Sequence, residues 1–446
     1  MLIPHRADAQ KSGEPGSLRV RPFPTKSRQF SPERNTDFSM NTLAPLMNRS
    51  EAERVLGACG VSALVLSDPV NIYHATGFWP QMVTMGQSGA AFAVVPAAIG
   101  EPVVLITSQF IHYLHDVDDV PREDPVRILL YTAPDGLEGA APPIFLGEAL
   151  GGRPDPMDAV SRTSTLSVLS RRPAYPTAAT ALKAAADPFA GNIAVDTLNA
   201  AAALGLDGQL RPAEPLLRQI RMIKSPAEIA LMRRAASNNA DAAKEAILSM
   251  RAGKTYEDLR LAFFEGTGRR GGIPLFMSTD SMAMRRRDGI LHEGRSFQID
   301  AVSSYAGYHG DFGRTVFVGE PDPIIIRMVE AATCANEAIS RALRPGLRYS
   351  DVRHIGHEAV KQAGYDVATA CGTHSVGLYH TDEAFQAGSL NFAKDDHVIR
   401  KDMVVSVDCP VLHLDASGNV HLEDLWLITE DGCEPLNERG EAFFQI

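Results

Sequence analysis

Hydrophobic residues recur in two spacings along this chain. Short apolar runs at 61–67, 90–95 and 102–107 predict buried strands. Helical and irregular segments separate these runs, which predicts an α/β unit in the first half. In the second half, segments with apolar residues three and four positions apart alternate with strand-like runs. That pattern predicts helices that cover a curved antiparallel sheet.

A boundary between two domains is predicted close to residue 215. The stretch 211–224 leads into Ser225-Pro226-Ala-Glu228, with Ser at the cap, Pro at the first helical position and Glu three residues after Ser. This is the pattern of a helix N-terminus with a capping box. We therefore predict a disordered tail, an N-terminal α/β domain and a C-terminal domain, at residues 1–47, 48–215 and 216–446.

The most informative stretch runs from 299 to 319, where two acids lie in a glycine-containing segment. Asp300 and Asp311 each adjoin β-branched and aromatic residues, and the glycines and serines between them favour a turn. A bent antiparallel pair of strands can direct both carboxylates toward one point. Two such carboxylates are unfavourable in a dry site unless a proton or a cation joins them. The alternative is structural, with Asp311 paired to Arg314 and Asp300 capping a turn.

Three later segments each add one donor that a metal ion could use. His374 lies in a glycine-bounded segment, Asp408 ends a strand-like run, and Glu423 begins another. Together with Asp300 and Asp311 they form a set of oxygen and nitrogen donors. Four carboxylates with one imidazole suit Mn, Fe, Co or Zn, bound as one ion or as a pair bridged by carboxylates.

Composition and charge narrow the class of protein. The chain has 446 residues, of which 45% are hydrophobic and 22% charged, and this indicates a soluble globular protein long enough for two domains. A net charge of −11 disfavours nucleic acid as a partner, because phosphate binding requires clustered Lys and Arg. Five scattered cysteines without CxxC spacing predict a cytoplasmic location. Cys371 and Cys409 lie close in sequence to candidate ligands, and core packing is the simpler interpretation of both.

The chain shows no sign of a membrane segment. No apolar run approaches the roughly 18 residues of a spanning helix, so we expect no membrane partner. The first 39 residues are rich in Arg, Lys, Ser and Pro and lack the apolar core of a secretory signal. They favour a disordered tail, or a start of translation at Met40 or Met47.

The order and setting of these residues resemble the creatinase/prolidase/aminopeptidase P family of pita-bread-fold proteins. The Lys224-Ser-Pro-x-Glu helix entry and the Asp68-Pro-x-Asn-Ile-Tyr turn are also similar to that family. The resemblance implies an α+β fold and a homodimer. A curved antiparallel sheet covered by helices would form the C-terminal pita-bread catalytic domain, preceded by a smaller creatinase-like α/β domain. The metal ligands that it implies are Asp300, Asp311, His374, Asp408 and Glu423.

The sequence departs from this family at several positions. Asp408 stands where the family has Glu, so it has a shorter reach and one bridge between two ions could be lost. Relatives that hydrolyse peptides carry a His that holds the substrate, and counting back places it near 282–284, where this chain has none. Arg285 in the same segment could clamp a substrate carboxylate, and a solvated basic loop is the alternative. Trp79 lies in a stretch that reaches toward a partner's active site in oligomeric relatives, and an aromatic plug in the core is the alternative.

The segment after His374 supplies candidate catalytic residues. It resembles the family's His-x-Ile-Gly-Leu segment, in which a second His follows near the substrate. That second His comes six positions after the first in this chain, one earlier than in most relatives. We predict His380 as an acid or oxyanion donor, Asp382 or Glu383 as a base, and Tyr379 as a substrate contact.

Three functions are compatible with these observations. The first is a metal-dependent hydrolase of a C–N bond, similar to Xaa-Pro dipeptidase or aminopeptidase, with a dipeptide or another small molecule as substrate. The second is a metal-dependent lyase of the same fold that acts on a small zwitterion such as dimethylsulfoniopropionate, for which the missing His would be tolerable. The third is a metal-free creatinase-like enzyme or a binding protein, which five intact ligand types disfavour. We expect the hydrolase, because it is the commoner chemistry of the fold.

Overall fold

The structure is a computed structural model that describes most of the chain from residue 43 onward. Arg285 and the predicted tail up to residue 42 lie outside the described residues. The described ranges are 43–109, 111–112, 125–133, 174–206, 210–279, 289–365, 371–385, 395–411 and 419–446.

A six-stranded mixed sheet forms the first half of the described chain. Its strands are β1 Ala63–Leu66, β2 Ala91–Pro96, β3 Val103–Ser108, β4 Val126–Ala133, β5 Ala174–Thr177 and β6 Ile193–Val195. The order across the sheet is β5-β4-β3-β2-β1-β6. The pairs β1–β2 and β2–β3 are antiparallel, whereas the pairs β3–β4, β4–β5 and β1–β6 are parallel.

Helices cover both faces of this sheet and confirm the predicted α/β character. The helices are α1 Arg49–Ala58, α2 Pro69–Thr76, α3 Gln81–Thr84, α4 Ala178–Ala186, α5 Leu198–Leu204 and α6 Glu214–Met222. The Asp68-Pro turn starts α2, because the Asp68 carboxylate accepts a hydrogen bond from the Val70 amide at 2.9 Å. Alternate residues of β1 pack into different cores, with Leu64 on one face and Val65 on the other.

A long helix, α7 (Pro226–Leu248), begins where the sequence predicts it. The Ser225 hydroxyl accepts from the Glu228 amide at 3.2 Å, and the Glu228 carboxylate accepts from the Ser225 amide at 2.8 Å. This reciprocal pair is the predicted capping box. Near its middle, α7 crosses the second sheet at Gly310, where an added Cβ would lie 2.6 Å from the Ala235 carbonyl oxygen.

The second half is built on a curved sheet that is antiparallel along its main path. Its strands are β7 Ile273–Ser278, β8 Arg295–Tyr305, β9 Tyr308–Val318, β10 Gly372–Ser375, β11 Val404–Asp408, β12 Glu423–Ile428, β13 Cys433–Pro435 and β14 Phe443–Gln445. The main order is β10-β11-β12-β9-β8-β7; β13 pairs with β12, and β14 runs parallel to β9. The predicted hairpin is β8–β9, and its two-residue turn is Ala306-Gly307, both with positive φ.

Further helices cover this sheet, as expected for a pita-bread domain. They are α8 Tyr256–Arg269, α9 Pro323–Ala342 and α10 Tyr349–Gln362. Together with α7 they give the predicted α+β fold. All the described residues belong to one compact unit, and the predicted division at 215/216 stays a prediction. Within the described residues, no helix combines the length and apolar character needed to cross a membrane.

Candidate metal centre

Three of the predicted ligands lie in one row across the curved sheet. Asp300 on β8 is opposite Gly313 on β9, Gly313 is opposite Glu423 on β12, and Glu423 is opposite Asp408 on β11. Directly opposed residues of antiparallel strands point to the same face of a sheet. The three carboxylates therefore share a face, and the glycine leaves a gap between the first two.

The other two predicted ligands lie on the same face, each two residues along its strand from this row. Asp311 precedes Gly313 by two residues on β9, and His374 lies on β10 beside β11. The Nε2 atom of His374 is 3.7 Å from Asp311 Oδ2, 3.8 Å from Asp408 Oδ2 and 3.9 Å from Glu423 Oε1. Among the residues that the structure describes, three sets of donors each have their ligand atoms within 4.8 Å of one another: Asp300, Asp311 and Glu423; His374, Asp408 and Glu423; and Asp311, His374 and His380.

Burial and mutual repulsion raise the pKa of the acids in this cluster. Removal from water, together with neighbouring carboxylates, holds the pKa of Asp311, Asp408 and Glu423 well above the usual range. Burial also raises the pKa of Asp300, and nearby histidines oppose that shift. Among the described residues, neither Asp300 Oδ1 nor Asp311 Oδ1 has a hydrogen-bond partner. Four acids in this state require protons or a cation.

The donor set fits a first-row divalent metal, because it combines carboxylate oxygens with an imidazole nitrogen. The structural alternative for the first two acids does not describe this site. Arg314 pairs with Asp424, with Nη2 and Oδ1 2.7 Å apart, and not with Asp311. Asp300 lies inside β8 rather than at a turn.

Comparison with known protein families agrees with this geometry. Residues 230–430 match the family model described as metallopeptidase family M24. This part of the chain is therefore similar to family M24. The matched range contains all five candidate ligands, and the predicted resemblance to the prolidase and aminopeptidase P proteins is confirmed. The predicted enzyme class, a metallohydrolase, is confirmed at the level of the family.

Several curated relatives of this region are named as dipeptidases. The Xaa-Pro dipeptidase of Pyrococcus furiosus is 24% identical over 247 residues, which cover 52% of this chain and 67% of the relative. The probable dipeptidase PepE of Mycobacterium tuberculosis is 26% identical over 242 residues, which cover 50% of this chain and 61% of the relative. The aligned stretch therefore spans roughly two thirds of each relative's own length.

Solved structures share the fold over a larger part of the chain. The prolidase of Pyrococcus horikoshii OT3 has a TM-score of 0.58 at 17% identity and covers 88% of this chain and 98% of its own. A dipeptidase from the same organism has a TM-score of 0.63 at 17% identity and covers 90% of this chain and 100% of its own. At this level of identity the likeness shows the pita-bread fold alone.

His380 lies beside the ligand cluster of the M24 domain. Its Nε2 atom is 3.0 Å from Asp311 Oδ2, and its ring centroid is 4.9 Å from that of His374. The edge of Phe276 contacts the His380 ring, with the two centroids 5.7 Å apart. The side chain is 33% exposed. His380 is therefore held between the buried acids and the solvent.

Asp382, predicted as a base, lies in a different cluster. Its carboxylate is buried and pairs with Arg221, with Nε and Oδ1 2.7 Å apart, and it also accepts from the Leu378 amide at 3.1 Å. Burial favours a raised pKa for Asp382, but the charges of Arg221 and Lys224 outweigh it and hold the pKa below the usual range. The alternative base, Glu383, is also buried and accepts from the Ser375 amide at 2.9 Å. The structure thus places Asp382 in an ion pair and outside the ligand cluster.

Of the three predicted substrate contacts, Arg285, Tyr379 and Trp79, the structure describes the last two. Arg285 lies outside the described residues. The Tyr379 ring lies against the Arg221 guanidinium at 5.2 Å, and burial with the charge of Asp68 raises the Tyr379 pKa to about 12. Trp79 is 42% exposed and is no core plug. The buried aromatic residue of that stretch is its neighbour, Phe78.

A cavity of about 790 Å³ opens beside the ligand cluster. Its lining includes His374 and Asp408, so a molecule in the cavity can reach the metal donors. Such a volume lies in the range of small-molecule sites, about 300–1,000 Å³. Cys371 is buried but also lines the cavity, so it lies beside the site, whereas Cys409 is buried and is absent from the cavity lining.

Two residues close to the ligands carry roles that the sequence interpretation did not assign. His421 Nε2 is 3.0 Å from Glu423 Oε2 and 3.8 Å from Asp408 Oδ1. Gly313 makes room for this imidazole, because an added Cβ would lie 2.2 Å from His421 Cδ2. The His-x-Glu spacing was the available signal, since residues two apart in a strand share a face.

Proposed function

We propose that this chain is a metal-dependent hydrolase of the C–N bond in Xaa-Pro dipeptides or closely related small substrates. The observation that carries the proposal is the convergence of four acids, of which Asp311 and Glu423 are buried, and His374 on one face of the sheet, beside a cavity of about 790 Å³. The acids carry more negative charge than the surrounding protein neutralises, which is the condition for binding a divalent cation. The names of the curated relatives, Xaa-Pro dipeptidase and dipeptidase, support the substrate class.

The metal would be held by the five converging donors, as one ion or as a pair of Mn, Fe, Co or Zn. When bound, such ions supply Lewis acidity and an attacking water that ionises near neutral pH. The donors are Asp300, Asp311, His374, Asp408 and Glu423.

Two side chains are placed to move protons during the reaction. Asp408 lines the cavity with 27% of its side chain exposed, so it can accept the proton of an attacking water. His380 lies at the solvent side of the cluster and can donate to the developing oxyanion or to the leaving nitrogen. Asp382 takes no part in this scheme, because Arg221 neutralises it.

The test is a metal-reconstitution assay on the purified full chain. Protein freed of metal with a chelator should be inactive, and added Mn, Co, Fe(II) or Zn should restore cleavage of Ala-Pro, followed by release of free proline. Leu-Leu and a tripeptide ending in proline serve as substrate controls. Elemental analysis should find a divalent metal in the reactivated protein.

The same assay separates the alternatives. Dimethylsulfoniopropionate offered to the reconstituted protein tests the lyase, whose product is dimethyl sulfide. Release of dimethyl sulfide without cleavage of any peptide would replace the hydrolase proposal. A chain that binds no metal, or that hydrolyses peptides after complete metal removal, would contradict the proposal of a metal-dependent hydrolase.

The homodimer, the cytoplasmic location and the division at 215/216 also remain proposals. Light scattering on the purified chain measures the oligomeric state, with twice the chain mass expected. Limited proteolysis should produce a stable fragment that begins close to residue 216 if the division marks two folding units.

A further inference from the structure

Two cysteines that lie far apart in the sequence, Cys371 and Cys409, meet across neighbouring strands. Gly372 on β10 is paired with Asp408 on β11 in an antiparallel register. The residue before Gly372 therefore lies opposite the residue after Asp408, and these are the two cysteines. The Cys409 thiol is hydrogen-bonded to Cys371. Both are free thiols, and both are buried.

The backbone hydrogen bonds give this pair the geometry in which opposed side chains come closest. The Cys409 amide donates to the Leu422 carbonyl at 2.9 Å, and the Cys409 carbonyl accepts from the Leu422 amide at 3.3 Å. Both backbone groups of Cys409 thus point toward Leu422, so Cys409 forms a non-hydrogen-bonded pair with Cys371 on its other side. The Cα atoms of such a pair are about 4.5 Å apart, within the roughly 4.4–6.8 Å that a disulfide spans.

A small oxidant can reach one member of the pair from the cavity beside the ligand cluster. The consecutive residues 371–374 all line this cavity, which therefore meets β10 from both faces of the sheet. Cys409 lies behind Cys371 and is absent from the described lining. Its hydrogen bond with Cys371, together with burial, raises the pKa of Cys409 well above the usual range. Cys409 therefore keeps its proton, and Cys371 is the thiol that meets the oxidant.

The pair adjoins a proposed metal ligand. Asp408 directly precedes Cys409, and its partner Gly372 directly follows Cys371. A bond of about 2.05 Å between the sulfurs would draw the two strands together at this point. On α10, an added Cβ at Gly356 would lie 3.0 Å from Cys371 Sγ, so the sulfur has little room to move without its strand. A change at the cysteines should therefore be felt at Asp408.

We propose that Cys371 and Cys409 form a redox-active dithiol site, which a peroxide converts to a cross-strand disulfide, and that this bond weakens metal binding at Asp408. Only the second part rests on the proposed function. With hydrogen peroxide, the Cys371 sulfur attacks one oxygen, the O–O bond breaks, and a sulfenic acid and water form. The Cys409 sulfur then attacks the sulfenic sulfur, the S–O bond breaks, and the hydroxyl leaves with the thiol proton as a second water. The two thiols together give two electrons to the peroxide.

The test uses the full chain with Cys59→Ser, Cys334→Ser and Cys433→Ser, so that the natural pair alone remains. The metal-free folded protein is treated with millimolar hydrogen peroxide, unfolded, blocked with iodoacetamide, digested and analysed by mass spectrometry. We expect both thiols to disappear, a peptide pair joined through Cys371 and Cys409 to form, and dithiothreitol to restore both thiols. Unreacted thiols, separate sulfinic acids or chains joined to one another would each overturn the inference.

A matched variant shows whether the two cysteines act together. In the same background, Cys409→Ser leaves Cys371 without a thiol partner, so peroxide should oxidise Cys371 to sulfenic or sulfinic acid without an internal cross-link. Thermal unfolding shows whether this variant is folded, and Cys409→Ala replaces it if it is not. A Cys371 that stays reduced in the folded variant would contradict its role as the attacking thiol.

Cobalt titration of the oxidised and the reduced pair tests the effect on the metal. We expect the affinity to be at least about tenfold lower in the oxidised form, as for other changes beside a ligand, and to return with dithiothreitol. Equal affinity in the two forms would overturn the second part of the proposal and leave the disulfide in place. A chain that binds no cobalt in either form would instead remove the proposed function, which the cross-link analysis does not depend on.

Discussion

Two clusters of charged side chains in this molecule contain buried acids but differ in charge balance. The ligand cluster brings four carboxylates together, and within the described residues their ion-pair contacts are to histidines. The second cluster, here called the Arg221 cluster, consists of Arg221, Lys224, Glu214, Glu228 and Asp382, so two cations lie among two buried acids and the partly exposed Glu214. The pKa values reflect this difference: burial and like charges raise those of the ligands, whereas Arg221 and Lys224 lower that of Asp382.

The difference separates a structural role from a chemical one. The Arg221 cluster links α6 to the loop after β10 and to α2, because Arg221 binds Asp382 at 2.7 Å and the Asn71 side-chain oxygen at 3.1 Å. Its charges compensate one another, and it needs nothing from outside the chain. The ligand cluster is compensated only when protons or a cation are added. An unbalanced set of buried charges is therefore the better indicator of function, and a perturbed pKa alone is not.

The largest effect should come from Asp311→Asn in the ligand cluster. Loss of several kcal/mol of metal-dependent stabilisation corresponds to a fall in kcat/KM of roughly 10³-fold or more. The same change should raise the unfolding midpoint of the metal-free protein, because it removes a buried carboxylate that lacks compensation. Peptide cleavage and thermal unfolding of the metal-free form measure the two results.

Asp431→Asn, at an exposed position, is the matched control for that variant and should change neither quantity. A metal-free Asp311→Asn protein that is less stable than the wild type would contradict the charge imbalance.

Asp382→Asn should have the opposite consequence for stability. It removes the buried acid that pairs with Arg221 and leaves the guanidinium with the partly exposed Glu214 as its acid partner, and breaking a buried pair costs up to about 3–5 kcal/mol of unfolding free energy. Metal affinity of the folded variant should stay close to that of the wild type. Urea unfolding and a cobalt titration measure the two quantities. If the variant unfolds like the wild type and binds cobalt normally but loses turnover, Asp382 is catalytic, as the sequence predicted.

Each of the five candidate ligands could be picked out from a short stretch of sequence, and their assignment to a metal centre stays a prediction. The Asp300 and Asp311 spacing, the turn glycine and the strand-like runs around His374 and Glu423 all follow from short-range chemistry. The partner of Asp382 could not be read in this way, since Arg221 lies 161 residues earlier in the chain. Contacts of this kind depend on strand register. His421 can be placed beside Asp408 only when the alignment of β11 with β12 is known.

The pH dependence should also differ between the clusters. In the ligand cluster the folded pKa values are raised, so their contribution to stability is complete below the unfolded values of about 4 and is lost as pH rises through the folded values. The metal-free protein should therefore lose stability as the pH rises through the folded pKa values of these acids. Asp382 has a lowered folded pKa, so its contribution is present above about pH 4 and is lost as pH falls through the folded value.

Metal binding makes this contrast measurable, because a cation must displace the protons that the raised pKa values retain. Affinity should rise with pH by about 1.4 kcal/mol, or tenfold, per pH unit for each proton displaced. Calorimetry in buffers of different ionisation enthalpy counts those protons. Binding without proton release at the acidic end of the range would show that the acids are already ionised in the metal-free chain.

Ser225→Ala should have the smallest effect. It tests whether the Arg221 cluster affects stability without affecting metal binding. The hydroxyl caps α7 beside Lys224 and also donates to the Leu46 carbonyl at 2.6 Å. Its loss should lower the unfolding free energy by about 1 kcal/mol. Thr255→Ala, at the capping box of α8, is the matched control and should cost a similar amount. Neither variant should change cobalt affinity, because a helix cap supplies no donor to the ligand cluster. A lower cobalt affinity in Ser225→Ala alone would mean that the two clusters are coupled through α7. That helix packs on both strands of the β8–β9 hairpin.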